Sequence, residues 1–408
     1  MDSTETSADN RKWRILLLLA LAELLAMAVW FSATAIVPAL SDAWGLDAGG
    51  SAWLTMSVQI GFVAGTLLSA VFSLADRIPS RWFFATSALL AGLTTALIPA
   101  IATGLSVALV LRFLTGVFLA GVYPVGMKIM TTWTKADRGL AIGLLVGALT
   151  IGSASPHLIN AFGGVSAWQP VMVVSAASAA LAGLIGAVFV CEGPYRTKSP
   201  PFNLRSVGRI MRERETLLAN IGYLGHMWEL YAMWAWIPAF FLASFALAGI
   251  PPAWASAAAF GVIAVGGVGS LLAGRMADQV GRTAITIVSL LISGVISLVI
   301  GFTFGGNPIV LVALALVWGF AIVADSAQFS ACVSELCPPD YTGTALTLQT
   351  SLGFILTLFS IRLIPVMQEA VGWQYAFTIL AVGPAIGIWA MLVLRRSPVA
   401  EKLAGGRR

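Results

Sequence analysis

Three acidic residues stand inside long apolar segments of this sequence, where an ionised carboxylate is costly. Glu23 and Glu229 each lie roughly 12 Å into such a segment at 1.5 Å per helical residue, and Asp325 lies near the middle of a third. In hydrocarbon such a residue costs about 2.5–3.5 kcal/mol and faces a water-filled cavity or a partner. A carboxyl group that leaves water favours its protonated form. We therefore expect these acids either to exchange protons or to tie two helices together by hydrogen bonds.

The two glutamates open a pair of matching stretches, ELLAMAVW at residues 23–30 and ELYAMWAW at residues 229–236, separated by close to half of the 408-residue chain. In each stretch the acid, the methionine and the last tryptophan are spaced i, i+4 and i+7, which places them on one helical face. The other residues of this face are Met27 and Trp30 in the first stretch and Met233 and Trp236 in the second, and His226 extends the second face by one turn. The repeat predicts two equivalent helical faces.

The elements that position these residues must lie in lipid. Charged residues make up only 10% of the chain and hydrophobic residues 59%, whereas a soluble protein has about 25% charged residues. We identify twelve apolar spans, each with the ~20 residues needed to cross ~30 Å of hydrocarbon. They run roughly over residues 15–40, 52–74, 82–101, 105–130, 140–162, 168–191, 217–246, 254–275, 283–303, 308–333, 344–367 and 373–394. The first run is longer than the ~7–15 residue core of a secretory signal, so we expect a permanent helix there.

Basic residues mark one side of the membrane. Arginine and lysine occur near both termini and in the second, fourth, sixth and eighth connections between spans, but in none of the odd-numbered connections. By the positive-inside rule we expect both termini on the cytoplasmic side. We predict that the chain lies in the cytoplasmic (inner) membrane. The net charge of +5 is thus a topology signal, and no basic face exists that would bind nucleic acid. The three cysteines are expected at or near the cytoplasmic ends of helices, and they are Cys191, Cys332 and Cys337. Thiols stay reduced on that side of the membrane.

A polar stretch at residues 192–216 divides the chain into two halves. It begins as a loop with prolines and charges, and its second part, NLRSVGRIMRERE, predicts an amphipathic basic helix on the inner leaflet; a solvated linker helix is the alternative. We predict one six-helix bundle over residues 1–191 and another over residues 217–408. Further matches between the halves, among them an Ala-Trp pair at the start of the second and the eighth spans, indicate a parallel duplication about an axis along the membrane normal.

One loop motif links this architecture to a known family. After the eighth span the pattern Gly-x-x-x-Asp-x-x-Gly-Arg is formed by Gly274, Asp278, Gly281 and Arg282. After the second span only Asp76 and Arg77 remain of it. The chain resembles the major facilitator superfamily of secondary transporters over nearly its whole length. The resemblance implies an all-α membrane protein of two parallel-duplicated six-helix halves that moves a small solute by alternating access. The loop aspartate can cap a helix or face a helix N-terminus across the seam between the halves; an ordinary charged turn is the alternative.

Two further family motifs occur in the fourth and fifth spans. Arg-x-x-x-Gly appears as Arg112 and Gly116. In the family this arginine is linked to proton coupling, and the alternative is an arginine that snorkels to the headgroups. A glycine-and-proline run typical of antiporters is only partly matched, so symport and antiport both stay open. The matched positions are Gly143, Gly147, Gly152 and Pro156.

The resemblance places the first and seventh spans around a central cavity, so the faces of Glu23 and Glu229 would lie opposite each other across the pathway. We expect proton coupling at Glu23, Glu229, Asp325 and Arg112. The predicted substrate-cavity residues are Met27, Trp30, His226, Tyr231, Met233, Trp236, Tyr123, Gln59, Gln328 and Gln349. Packing alone is the alternative for the methionines and tryptophans. His157 and Arg362 are expected in the outer half of the membrane as gate residues, anion contacts or snorkelling side chains.

The sequence lacks the motifs of several enzyme classes and of an ATP-driven pump. There is no paired-histidine metalloprotease motif, no Gly-x-Ser-x-Gly elbow and no phosphate loop, so we predict no enzymatic activity, no cofactor, no bound metal and an ion gradient as the energy source. Buried acids and seventh-span aromatics favour an organic cation or amphipathic solute, which we prefer. Methionines with His226 suit a copper-type carrier, and Arg112, Arg362 and His157 suit a small-anion carrier. A non-transporting membrane sensor is a further alternative. We expect a monomer whose partners are lipids, protons and the solute.

Overall fold

The computed structural model of the chain is built from helices. It describes residues 3–134, 138–163, 167–195, 208, 210, 212–338 and 341–407, and no strand occurs among them. The α-helices are α1 (Ser3–Met27), α2 (Val37–Trp44), α3 (Ala48–Val71), α4 (Leu74–Arg77), α5 (Ser80–Ile101), α6 (Leu105–Leu119), α7 (Tyr123–Trp133), α8 (Arg138–Gly163), α9 (Trp168–Phe189), α10 (Arg214–Leu247), α11 (Pro252–Val280), α12 (Arg282–Val299), α13 (Pro308–Ala324), α14 (Ser326–Leu336), α15 (Thr342–Val371), α16 (Trp373–Ala376) and α17 (Val382–Arg396). Short 3-10 turns follow several of them, at Thr34–Ile36, Ile300–Thr303, Thr378–Ala381 and Pro398–Gly406. The all-α prediction is confirmed.

Eleven segments of the described chain are long and apolar enough to cross a membrane, and they correspond to the second to twelfth predicted spans. The first predicted span is not among them, because α1 ends at Met27, too soon after the basic residues at its start to leave a long uncharged helix. The expectation of one continuous helix over residues 15–40 is wrong. The chain leaves α1, turns through residues 28–33 and then continues in a short 3-10 turn and α2.

The fourth and tenth spans are each broken near their middle, at matching places in the two halves. The first break lies between Leu119 and Tyr123, where α6 gives way to α7. A proline follows at the start of α7, where a missing N–H group costs nothing. The second break lies at Asp325, between α13 and α14. Each half therefore contains a helix end near the centre of its bundle.

The two halves meet along two helix pairs, α8 with α11 and α3 with α15. The α8–α11 pair is close because glycine backbones face each other. A Cβ atom placed on Gly267 would lie 3.0 Å from the carbonyl oxygen of Gly147, and one placed on Gly147 would lie 3.2 Å from that of Gly267. The start of α8 also contacts the end of α11, near Asp278. We call this end of the molecule, which carries the start of α1 and the residues after α17, the terminal end, and the opposite end the far end.

The division into residues 1–191, 192–216 and 217–408 stays a prediction. The predicted amphipathic helix falls mostly on residues outside the described part of the chain, which omits 196–207, 209 and 211. α10 begins at Arg214, inside the predicted linker.

Candidate functional site

Six aromatic side chains meet where the two halves touch, two from the turn after α1 and four from α3, α10 and α15. This aromatic cluster consists of Trp30, Phe31 and Phe62 from the first half and Tyr231, Trp234 and Phe354 from the second. The ring centroids are 5.1 Å apart for Trp30 and Phe62, and 4.9 Å apart for Phe62 and Phe354. Tyr231 lies 5.0 Å from Phe354 and 5.4 Å from Trp234. All six side chains are buried, so the seam is closed by ring contacts at this level.

Hydrogen-bond donors in the cluster and beside it have no acceptor among the described residues. The indole N–H groups of Trp30 and Trp234 are buried without a partner among the described residues, and so is the amide nitrogen of Gln59. The oxygen of that amide accepts a hydrogen bond of 2.7 Å from Thr357, one helical turn from Phe354, across the α3–α15 pair. An unpaired buried donor costs about 1–3 kcal/mol. The unpaired groups at this site are hydrogen-bond donors, and an acceptor on a bound molecule would satisfy them.

Arg112 holds the turn that positions two of the cluster rings. Its Nη1 donates to the carbonyl oxygen of Val29 at 2.6 Å, and its Nη2 donates to that of Trp30. Its Nε donates to the carbonyl oxygen of Leu54 on α3 at 3.3 Å. Buried backbone carbonyl groups need a hydrogen-bond partner, and the guanidinium supplies one to these two carbonyl groups of the turn. Arg112 is fully buried, and the snorkelling alternative is therefore wrong.

Glu23 points into the interior of the first half. Its side chain is fully buried, and neither carboxyl oxygen has a hydrogen-bond partner among the described residues. Its Oε2 lies beside the first turns of α7, since a Cβ atom placed on Gly126 would lie 2.9 Å from it. A negative charge is favoured near a helix N-terminus. The predicted cavity residue Tyr123 begins the same helix.

Glu229 points into the interior of the second half. Its Oε1 accepts a hydrogen bond of 2.7 Å from the indole N–H of Trp318, and its Oε2 accepts one of 2.8 Å from Ser293. The prediction that the two glutamates face each other across the pathway is therefore wrong. The face of α10 that meets the first half carries Tyr231 and Trp234 instead.

A histidine–aspartate pair lies near Glu229. His226 Nδ1 is 2.9 Å from Asp325 Oδ1, and its Nε2 is 2.9 Å from the hydroxyl of Ser326. Both members of the pair are buried. The break between α13 and α14 supplies the aspartate and the serine, while α10 supplies the histidine. Asp325 thus has the partner from another helix that its position requires.

A cavity of about 330 Å³ lies beyond the aromatic cluster towards the far end. Both halves line it, with Thr34, Asn160, Trp236 and Ser256 among the contributors. Asn160 Nδ2 bridges the halves by donating to Ser256 Oγ at 3.0 Å. Trp236 therefore lines this cavity, and its indole N–H donates to the carbonyl oxygen of Ile361 at 2.8 Å.

The other predicted residues lie away from the cluster. Gln328 accepts a hydrogen bond of 2.9 Å from Arg282 at the terminal end, and Gln349 accepts one of 3.2 Å from Ser330. Met27 and Met233 are fully buried. His157 is buried and neither ring nitrogen has a hydrogen-bond partner among the described residues. Arg362 packs at the far end, where a Cβ atom placed on Gly49 would lie 3.1 Å from its Nη1.

The two copies of the loop motif differ in their contacts. Asp76 pairs with Lys128 of its own half at 2.6 Å, and Arg77 in α4 is exposed. In the second copy Asp278 reaches the other half, since a Cβ atom placed on Gly139 would lie 2.6 Å from its Oδ2. Gly274 also faces that half, because its Cβ position lies 3.4 Å from the Gly139 carbonyl oxygen. Gly281 has a φ of +109°, which favours glycine. The copy that matches the family motif completely, after the eighth span, is thus the one that contacts the other half.

Sequence reasoning missed four members of the aromatic cluster and the donors to Glu229. Phe31 directly follows the first repeated stretch and Trp234 lies inside the second, so their aromatic character was an available signal. Phe62 and Phe354 carry no local signal, because only the packing of α3 on α15 brings them together. In the described part of the chain no group of three His, Cys, Asp or Glu side chains is placed to hold a metal ion.

The family model of the Major Facilitator Superfamily matches residues 19–361 and 249–408. The chain belongs to the major facilitator superfamily. It is an integral membrane transporter and not an enzyme, as the sequence predicted. Solved structures of the superfamily share the fold. A bacterial homologue of the human lysosomal transporter Spinster, in an inward-facing and unoccupied conformation, has a TM-score of 0.73 at 15% identity and covers 95% of this chain and 99% of that chain. A mutant of the nucleoside transporter NupG has a TM-score of 0.70 at 15% identity, covering 93% and 99%.

Curated superfamily relatives match parts of the chain. The putative niacin/nicotinamide transporter NiaP of Bacillus subtilis (strain 168) is 28% identical over 218 residues, which is 51% of this chain and 53% of the relative. The niacin transporter NiaP of Acinetobacter baylyi is 36% identical over 130 residues, 31% and 28% of the two chains. The 4-hydroxybenzoate transporter PcaK of Pseudomonas putida is 29% identical over 187 residues, 44% and 40%. The matches span about half the length of these relatives or less.

Proposed function

We propose that this transporter carries a small aromatic carboxylate across the cytoplasmic membrane by alternating access, coupled to protons. The observation that carries the proposal is the aromatic cluster on the seam between the halves, with its unpaired donors. Aromatic rings pack well against a planar ring. The N–H groups of Trp30, Trp234 and Gln59 suit a carboxylate, since hydrogen bonds to an ionised acceptor are the stronger ones.

The same contacts favour an acid over the organic cation that the sequence suggested. Ring faces would also suit a cation, but no carboxylate joins them here, because Glu23 and Glu229 point into separate halves and away from the cluster. Niacin and 4-hydroxybenzoate, for which the relatives are named, are each a single aromatic ring with a carboxyl group. A copper-type cargo has less support, because His226 is engaged by Asp325 and Ser326.

For the proton we propose Glu23 in the first half and the group of His226, Glu229 and Asp325 in the second. All four side chains are buried, and an isolated charge in such surroundings is unstable. Each carboxyl group would therefore hold a proton while enclosed and release it when the halves part and water enters. We assign Arg112 a different part. It fixes the turn at residues 28–33, so that the rings of that turn stay in the cluster.

The orientation follows from the basic residues at the terminal end. By the positive-inside rule this end faces the cytoplasm, and the far-end cavity then faces the outside. The cavity volume of about 330 Å³ lies at the lower limit of the roughly 300–1,000 Å³ typical of small-molecule pockets. A solute would enter there and move into the cluster as its rings separate.

Uptake by proteoliposomes tests the proposal. The purified chain is reconstituted, and radiolabelled nicotinate and 4-hydroxybenzoate are offered with and without an inward proton gradient. Uridine and tetraethylammonium serve as a nucleoside and an organic cation control. We expect accumulation of at least one aromatic acid, stimulated by the gradient, and none of the controls. Accumulation of tetraethylammonium with neither acid transported would overturn the substrate class. Uptake of the acids that ignores the gradient would overturn the coupling.

A further inference from the structure

Residues 398–407 form a compact segment at the terminal end of the second half. It packs tightly there, since Ala400 and Leu403 are fully buried in the main hydrophobic core. The backbone N–H of Ala404 donates to Glu335 Oε2 at 3.0 Å. The same carboxylate is held by Arg282, with contacts of 2.9 Å and 2.6 Å. The segment is thus joined to the charged network of the loop motif.

The segment reverses direction through a strained backbone. Ala404 has a φ of +48°, the left-handed region that L-residues other than Gly, Asn and Asp seldom adopt. Gly405 and Gly406 follow with φ of +65° and +98°. Such a conformation persists in a non-glycine residue only where the surroundings enforce it. The reversal brings Arg407 Nη1 to 2.6 Å from the backbone carbonyl oxygen of Asp278, to which it donates a hydrogen bond.

Asp278 is the point where this network reaches the other half. Its Oδ2 lies 2.6 Å from a Cβ position on Gly139, in the first turn of α8. A carboxylate is favoured beside the free N–H groups of a helix N-terminus. Arg282 Nη2 lies 3.5 Å from Asp278 Oδ1 and helps to orient it. The contact closes the terminal end along the α8–α11 pair.

The matching place in the first half shows no such contact in the part of the chain that the structure describes. Asp76 is paired with Lys128 in its own half, and a Cβ atom on Gly343, at the start of α15, would meet nothing within 4 Å. The residues that follow α9 bind the end of α7 instead, where the N–H of Gly193 donates to Thr132 Oγ1 at 2.7 Å. Of the two halves, the second thus combines a crossing aspartate with a segment that holds its loop.

We propose that residues 398–407 are a latch, which positions Asp278 against α8 and so stabilises the conformation that is closed at the terminal end. Arg407 and Leu403 are positioning residues: they act on the seam only through the loop of Asp278. Weakening the latch shifts the carrier towards the state open at that end. Relieving the strain at Ala404 strengthens the latch and shifts it the other way.

Distance measurements between spin labels test the latch without any substrate. Labels are attached at Leu140→Cys on α8 and Met276→Cys on α11, two side chains that are 41% and 49% exposed. The native cysteines are first replaced, as Cys191→Ser, Cys332→Ala and Cys337→Ser. The ratio of long to short distances then reports whether the two halves have parted at the terminal end.

Arg407→Ala should raise the long-distance fraction by about threefold, the factor for one lost solvent-exposed hydrogen bond, and Leu403→Ala should raise it further. Ala404→Gly should lower it. The exposed Lys402→Ala is the matched control and should change nothing. Unaltered distances in Arg407→Ala and Ala404→Gly, or a shift of both in the same direction, would overturn the proposal. Since no solute is present, failure of the aromatic-acid proposal leaves this result unaffected. Melting temperatures recorded alongside separate a shift between conformations from a loss of folding.

Discussion

The indole N–H of Trp234 offers a test that separates ring packing from hydrogen bonding. Trp234→Phe keeps an aromatic ring beside Phe31 and Tyr231, whose centroids lie 5.8 Å and 5.4 Å from the indole, but removes the unpaired donor. A hydrogen bond to a charged acceptor contributes about 1.5–3 kcal/mol. At 1.4 kcal/mol per tenfold, nicotinate should bind about 10- to 150-fold more weakly. Nicotinamide accepts only a neutral hydrogen bond of about 0.5–1.5 kcal/mol, so its affinity should fall about 2- to 12-fold.

Titration calorimetry of the detergent-purified carrier at fixed pH measures both dissociation constants. The matched control is Trp53→Phe, a tryptophan that is 44% exposed on α3 and should bind both ligands as the unaltered chain does. The decisive quantity is the ratio of the two affinity losses. If nicotinate and nicotinamide weaken by the same factor, the indole acts through packing and the hydrogen-bond reasoning is refuted. Unchanged binding of both ligands would remove Trp234 from the site.

Two further outcomes follow from buried groups. Glu23→Gln should abolish uptake driven by a proton gradient while exchange of labelled for unlabelled solute continues at equal pH on both sides; loss of both activities, or of neither, would contradict its assignment to the proton. Burial raises the pKa of Cys337 to about 11, so the reactive thiolate is nearly absent at pH 7 and appears only as the pH rises towards that value. Maleimide at pH 7 should therefore modify Cys191, which is partly exposed, well before Cys337. Equal rates in peptide mass spectra would contradict this.

The fold could be predicted because membrane solvation acts on each segment separately. Apolar runs and the alternation of basic connections define the spans without knowledge of their neighbours. Which neighbour a helical face meets is a tertiary property. The spacing of Glu229 and Trp236 predicted a shared helical face, but it could not tell that the glutamate would find Trp318 and Ser293 inside its own half.

The turn that ends α1 could not be predicted for a related reason. Residues 28–33 read AVWFSA, without the glycine or proline that usually ends a helix. The turn is stabilised from outside by Arg112, which serves the carbonyl groups of Val29 and Trp30. Local sequence favours continuing the helix, and a side chain from α6 decides the outcome. Prediction failed at the residues that build the candidate site.

Glu23 and Glu229 hold equivalent positions in the two halves, but their surroundings differ. Replacing them should therefore change the stability of the protein by different amounts. Glu229→Ala would leave the buried indole N–H of Trp318 without its acceptor at 2.7 Å and deprive Ser293 of its own. Glu23→Ala would remove two oxygens that accept no hydrogen bond among the described residues, and this gain offsets part of the cavity it creates.

The free energy of unfolding should therefore fall further for Glu229→Ala, by about 1–3 kcal/mol for the unpaired donor alone. Thermal unfolding of both variants in one detergent measures the difference. Double replacement of Glu229→Ala with Trp318→Phe should recover part of the loss, because the orphaned N–H is then absent. Equal destabilisation by the two single variants, or no recovery in the double one, would mean that the hydrogen bonds to Glu229 contribute little. The two glutamates would then contribute alike to the free energy of unfolding, as their matching positions in the two halves suggest.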